Sequence, residues 1–492
     1  MEDIKSKIIE YANNLDRFLC LEQISGKTLE KWIEPLAEVI SEGGAIPYLL
    51  GTKERFRASP LASSLIWARY ANLFPDEVVA IMQEKLVFLR DYEEPNDSHL
   101  GNQHKKEEDN PGWSLSEGVS IWSTSMALIA LLDSRRVNIN NVNCYKSSII
   151  WLVDQKKSSG GWAYQCIPNC QENTIMTALA LRALLLAKKN QGLLCFDKKE
   201  EKDLDSAIYS GVRYLMDSIQ FSRDKKSCYW FFNNEANCAA TVWSLFSLKI
   251  AKDIGIDNAG SIESFYKKHL PKCLNFVLSQ IPPKCKKWKD ELIVCEAGAK
   301  YSKQKNYYSL SATLIPELLE LGVSPYHPRI VYQIKWLMEN EDQWKIENYD
   351  RSDICSFSYT MILSTIVRWR QLVGARHSKE MLCTGKGIRF AARKVITGIP
   401  YQGHQGGVFY VVNICRIMYW WVLSLLFGIM LTRVNTIQAR VELFVNWVYE
   451  YFKLSGNSVL SGIISTAIYS AFLFLCTRLL GLFGKTWEKN HD

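Results

Sequence analysis

The chain has 492 residues, more than one average domain, and 48% of them are apolar, so a large folded core is expected. Its net charge of +8 is modest for this length, and its lysines are scattered over polar helix faces, so no direct nucleic-acid binding is expected. Fourteen cysteines, from Cys20 to Cys476, show no disulfide-like framework, and the N-terminus lacks a continuous apolar core. The expectation is therefore no signal peptide, and reduced thiols in a reducing compartment.

Along the chain, aromatic–aliphatic pairs recur at Trp32-Ile33, Phe88-Leu89, Trp151-Leu152, Tyr214-Leu215, Phe276-Val277 and Trp336-Leu337. Their spacings are 56, 63, 63, 62 and 60 residues. A nearly fixed period of this size marks stacked supersecondary units. After each pair comes a polar turn, and a Thr or Ser then opens a run of small and apolar residues. These anchors are Thr124, Thr177, Thr241, Ser311 and Thr360, with LASSLIWARY around Ser63 in the first unit. Both halves carry apolar residues three and four apart, the signal of a helix. They are rich in Ala, Leu, Met and Arg, which lose little entropy in a helix. Each unit is predicted to be a helical hairpin, and six hairpins can close a ring of inner and outer helices over residues 1–375. The polar stretch Glu93 to Asn110 is read as a long solvated loop within the second unit.

Residues 376–405, punctuated by glycine and carrying basic side chains, read as a linker. Residues 406–492 differ in kind. Val408 to Leu431 is a mainly apolar run with one charge, Arg416, and Ser458 to Thr477 is uncharged over 20 residues. Each run is long enough to cross a bilayer core as a helix. Lys379, Lys386, Arg389, Arg393, Lys394, Arg478, Lys485 and Lys489 flank the two runs on the outside, against Arg433, Arg440 and Lys453 between them. That asymmetry places both ends in the cytoplasm, with the protein in the inner (plasma) membrane as a multi-pass protein. Arg416 has two readings. It snorkels at a span end, or it faces protein or water inside the membrane, where a hairpin could oligomerise and line a leak.

The segment Trp151-Leu152, Gln155 and Gly160-Gly161-Trp162 resembles the repeats of squalene–hopene and other triterpene cyclases and of protein prenyltransferase β subunits. Gly112-Trp113 supplies a second Gly-Trp, whereas Trp230, Trp288 and Trp344 lack the glycine. The resemblance covers roughly residues 30–375. It implies an all-α fold, an α/α toroid of about six helical hairpins around an apolar cavity that could hold an apolar ligand, here followed by a two-helix transmembrane hairpin. The motif itself has structural work to do: Gly-Gly permits a sharp turn, Trp162 lies over a helix end, and Gln155 can satisfy backbone groups left open there.

Function must be argued from the site. Cyclases of this family that protonate a double bond or epoxide carry Asp-x-Asp-Asp just before an inner helix, where neighbouring carboxylates keep one proton in place. In this chain the three positions are Asn173, Ile175 and Met176; in the other repeats they are Ser120, Trp122 and Ser123, then Asn237, Ala239 and Ala240, then Ser356, Ser358 and Tyr359. The acid cluster is missing. Single carboxylates do precede the anchors, at Glu117, Glu172, Glu235 and Asp353. They either face the positive end of a helix or ring the mouth of a cavity, and Glu172 and Asp353 are the candidate catalytic acids.

Protein prenyltransferases bind zinc through Asp-x-Cys and a distant His, and Asp353-Ile354-Cys355 is similar to that segment. The third ligand would have to be His377, in the linker, or His404, next to the first apolar run, and neither lies in an aromatic-rich inner helix. Cys166 and Cys170 form a second, structural zinc candidate. Beyond zinc no cofactor is expected. Trp122, Trp243, Tyr307, Tyr308, Phe357 and Tyr359 lie near the starts of inner helices, where they either stabilise a carbocation or fill a narrow core.

Two functions follow. The first is a non-catalytic cyclase-like toroid that senses a ligand or partner in the cytoplasm and controls the membrane hairpin. This architecture resembles membrane effectors of anti-phage abortive infection (antiviral defence) and implies a protein partner or homo-oligomer. The second is a membrane-bound terpenoid cyclase or prenyltransferase with a diverged site.

Overall fold

The structure is a computed structural model. It describes residues 2–374 apart from 26, 47–48, 51–57, 94–103, 106–110, 116–117, 134–136, 165–169, 257–260, 282–306 and 342–353. The chain divides into two units, Met1–Phe409 and Tyr410–Asp492, and all described residues belong to the first.

The described residues are mostly helical. The helices are α1 (Glu2–Leu19), α2 (Glu22–Ser25), α3 (Leu29–Gly43), α4 (Ala58–Ala71), α5 (Asp76–Asp91), α6 (Ile121–Leu132), α7 (Val142–Asp154), α8 (Thr174–Lys189), α9 (Gln191–Leu194), α10 (Lys198–Asp217), α11 (Cys238–Asp253), α12 (Ser261–Gln280), α13 (Tyr307–Glu320), α14 (Pro328–Glu339) and α15 (Ser356–Val373). Short strands punctuate them: β1 (Leu49–Leu50), β2 (Tyr92–Glu93), β3 (His104–Lys105), β4 (Ser114–Leu115), β5 (Gly118–Val119), β6 (Gln220–Phe221), β7 (Cys228–Phe232), β8 (Glu235–Asn237) and β9 (Ile354–Cys355). All pairings are antiparallel: β1 with β9, β2 with β3, β4 with β5, and the sheet β6-β7-β8. Among the described residues, the turns between α5 and α6 and between α10 and α11 hold small sheets of their own, which pair the backbone groups there.

Two classes of helix follow from two residue patterns. In α10 the buried positions are Leu204, Ala207, Ile208, Gly211, Val212 and Leu215, a single stripe, as expected of a helix with one face on a core. In α8 every residue from Thr174 to Ala187 is buried, so α8 has neighbours on all sides. The six pairs Trp32-Ile33 through Trp336-Leu337 fall in α3, α5, α7, α10, α12 and α14. The Thr and Ser anchors fall in α6, α8, α11, α13 and α15. Helix α4 packs on α6, α6 on α8, α8 on α11, α11 on α13, α13 on α15, and α15 back on α4. These six helices therefore contact one another in a closed circuit.

The circuit is locked where it closes. Strand β1 pairs with β9 through Leu49↔Cys355 and Leu50↔Ile354. Helix α1 packs on α3 and α15. Arg370, fully buried, donates from Nε to the Leu19 carbonyl and from Nη2 to the Cys20 carbonyl at 3.0 Å, and Gln371 donates to the Ala71 carbonyl at 2.6 Å. Among the described residues no helix is long and apolar enough to cross a membrane. The linker and both apolar runs, with Arg416, lie outside the described residues.

Candidate functional site

One arrangement recurs in three successive repeats. The backbone N–H of Trp113, Trp162 and Trp230 donates to Oγ1 of Thr124, Thr177 and Thr241, at 2.9, 3.0 and 3.1 Å. The indole Nε1 of the same tryptophans donates to the carbonyls of Leu86, Leu152 and Leu215, at 2.7, 2.8 and 2.7 Å. Each Trp, fully buried, thus clips an outer helix end to the first turn of an inner helix. The anchor threonines are functional in this sense: Thr177 and Thr241 also donate to the carbonyls of Asn173 and Asn237. Trp230 makes the clip without the preceding glycine, so the Trp and Thr carry it.

In three repeats the first of the three positions where the resemblance calls for acids is occupied by a helix cap. The side chains of Ser120, Asn173 and Asn237 accept from the backbone N–H of Ser123, Met176 and Ala240, which satisfies donors that each helix start leaves open.

Gly160 and Gly161 are required by space. Gly160 has φ +93°, and a Cβ there would stand 2.7 Å from the Ser210 carbonyl oxygen of α10. A Cβ on Gly161 would meet the Tyr214 ring at 2.8 Å and Glu172 Cβ at 3.1 Å. Gln155 closes α7 through its backbone N–H, which donates to the Trp151 carbonyl at 3.1 Å. The turn's other groups pair locally, Lys157 N–H with the Gly161 carbonyl and Gly160 N–H with the Lys157 carbonyl.

Glu172 forms an isolated β-bridge with Ala163 and is half-buried beside Gly161 and Tyr214, against the outer helix α10. Burial, with the Glu172 charge, raises the Tyr214 hydroxyl pKa above its ordinary value. Asp353 lies outside the described residues, as do Cys166, His377 and His404. Cys355 is described by its backbone, in register with Leu49. Among the described residues no group of three or more His, Cys, Asp or Glu side chains is placed to hold a metal ion.

The interior of the helix circuit is occupied. Helices α4, α8 and α13 are not consecutive in the circuit, so contacts among them cross its interior. Arg182 of α8 donates from Nη1 to Glu317 Oε1 of α13 at 2.7 Å and from Nη2 to the Tyr70 hydroxyl of α4 at 3.1 Å. Tyr70 donates in turn to Glu317 Oε1 at 3.3 Å. Phe246 of α11 stacks on the guanidinium at 4.6 Å. Trp67 donates to the Thr313 carbonyl at 3.3 Å. Nearer the other end, Trp122 of α6 and Trp243 of α11 meet with ring centres 5.9 Å apart, and Trp122 donates to Ser59 at 2.8 Å.

Glu317 is fully buried. Burial pushes its carboxyl pKa up, and Arg182 and Tyr70 only partly offset that. Burial also penalises the Arg182 charge, but Tyr70 and Glu317 more than compensate. The two directions pull apart on whether the pair favours charge; a guanidinium stays protonated at any working pH, so the state of Glu317 is the variable one. Sequence reading missed this cluster, because residues 135 apart carry no local signal.

No family model matches the chain, and no curated protein matches it.

A separate open cleft lies among α4, α5 and α6, lined by Leu65, Ala68, Arg69, Val79, Gln83 and Ala130. By helical spacing it flanks the side of α4 opposite Tyr70, and it contains none of the candidate catalytic or metal-binding residues.

Proposed function

We propose that residues 1–375 form an α/α toroid of about six helical hairpins that senses a partner or ligand in the cytoplasm and controls a C-terminal two-span membrane hairpin, as membrane-disrupting effectors of anti-phage abortive infection do. The observation that carries the reading is the set of cross-circuit contacts among Tyr70, Arg182 and Glu317, with Trp122 on Trp243. These occupy the place where a cyclase would hold its substrate. The caps Ser120, Asn173 and Asn237 support it too, since they stand at positions that the cyclase chemistry needs for acids. The filled interior favours a trigger that meets the domain's outer surface over an apolar ligand held at its centre. Arg416, on this reading, faces protein or water in an oligomer of hairpins in the inner membrane.

The test compares the full chain with a version ending near Gly374, both expressed in cells loaded with a potential-sensitive dye. Loss of membrane potential with the full chain alone is the expected result, and Arg416→Leu is expected to weaken it. Turnover of an isoprenoid by the truncated domain, abolished by Glu172→Gln or Asp353→Asn, would instead establish a membrane-bound terpenoid cyclase or prenyltransferase, with zinc at Asp353 and Cys355 as its cofactor in the second case.

A further inference from the structure

The junction of the fourth and fifth repeats holds a pair of thiols that none of the preceding functions uses. Cys228 on β7 and Cys273 on α12 are both fully buried, and their sulfurs are 3.0 Å apart. The Cys228 thiol also reaches the His269 carbonyl at 3.5 Å. A disulfide bond is about 2.0 Å long, so the sulfurs need close by only about 1 Å. We infer that Cys228 and Cys273 are an oxidisable dithiol, a modification site at which a small-molecule disulfide closes a covalent tie between the β6-β7-β8 sheet and the outer helix α12.

The surroundings suit the chemistry. Cys228 is the better nucleophile: its hydrogen bond with Cys273 draws its thiol pKa down, and the nearby Lys272 ammonium acts the same way. Burial pushes the Cys273 thiol up. The attacking species is a thiolate, so Cys228 reacts first. Access comes through β6, a two-residue edge strand ending in Phe221, which is 44% exposed. Opening so short an edge is a local event that leaves the helix circuit closed. Near the pair are Phe221, Phe265 and His269, with the His269 ring tilted against both phenylalanines, and Lys272, which sits over Phe221.

The exchange balances without any further reagent. The Cys228 thiolate attacks a disulfide RS–SR, forms a mixed disulfide and expels RS⁻, which takes up the Cys228 proton. The Cys273 thiolate then attacks the Cys228 sulfur and expels the second RS⁻, which takes up the Cys273 proton. Two protein thiols are oxidised, and one RS–SR is reduced to two RSH. The product closes a loop between residues 45 apart in sequence, which restricts the unfolded chain.

The full chain, equilibrated in mixtures of reduced and oxidised glutathione at a urea concentration below its unfolding transition, is then alkylated, digested and mapped by mass spectrometry. The expected result is one linked peptide pair joining Cys228 to Cys273, at a yield independent of protein concentration, with the melting temperature raised by on the order of 5 °C. Cys228→Ser/Cys273→Ser should melt as the reduced wild type does and lose the oxidant-induced rise. The inference is overturned if both cysteines stay alkylatable under conditions where the exposed Cys195 takes up glutathione. It is equally overturned if Cys228 pairs elsewhere, or if the rise persists in the double variant.

Discussion

At the scale of single residues, Thr177 decides more than its size suggests. Its hydroxyl accepts the buried Trp162 N–H and donates to the Asn173 carbonyl. Thr177→Val keeps the shape and strands that N–H, which costs about 1–3 kcal/mol. Urea unfolding of the truncated domain should show that loss, and Thr177→Ser should recover most of it. His327 is a second such residue. Its ring nitrogen accepts the Arg329 N–H and caps α14, which requires a neutral imidazole. Burial and the Arg329 charge push its pKa down to about 4, from an ordinary 6.5. The native state therefore binds fewer protons than the unfolded one, so stability is full above about pH 6.5 and falls as pH drops toward 4. The difference is worth at most about 3 kcal/mol, and solvent at the half-buried ring reduces it to roughly 1–2 kcal/mol. Unfolding measured at pH 7.5 and pH 5 should show this drop in the wild type and a smaller one in His327→Asn.

At the scale of elements, the caps carry the argument. Asn173→Ala should destabilise by about 1 kcal/mol, the usual cost of losing an N-cap. Asn173→Asp should be neutral or slightly stabilising, because a carboxylate suits the positive end of α8; thermal melts of both variants distinguish these outcomes. The helices themselves were legible in the sequence. Trp151-Leu152 and Thr177 predicted α7 and α8 because the runs around both carry apolar residues three and four apart. The turn strands were not legible: β7 owes its shape to partners on β6 and β8, and its alternation spans only Cys228 to Phe232. At the site, the Gly160-Gly161-Trp162 turn stood out in the sequence because two glycines beside a Trp are a local signal, while Arg182 and Glu317 sit inside apolar runs with nothing nearby to announce a cross-circuit bond.

At the scale of the whole domain, the Tyr70–Arg182–Glu317 cluster bolts helices that are not neighbours in the circuit. Glu317 Oε2 and Arg182 Nε have no hydrogen-bond partner among the described residues, so the cluster is a costly way to fill an interior. Removing Glu317 leaves the buried Arg182 guanidinium with only the more distant Asp133 carboxylate, 3.9 Å away. Glu317→Met should therefore cost about 3–5 kcal/mol, and Arg182→Met/Glu317→Met should regain much of it. A double-mutant cycle by urea unfolding checks both. A double variant as unstable as the worse single would show that the cluster shapes the interior in a way that apolar packing cannot replace.

The clasp between the two ends of the helix circuit sets an order of events during synthesis. Arg370 and its partner Leu19 are 351 residues apart, so the carbonyls of Leu19 and Cys20 and the edge of β1 wait for nearly the whole domain to be translated. Contacts this distant form slowly, and a chain made from its N-terminus stays open until α15 emerges. The apolar runs at Val408 and Ser458 follow α15 off the ribosome. Ring closure and the arrival of those runs are therefore neighbouring steps in time, and a slow codon run between residues 374 and 408 would separate them.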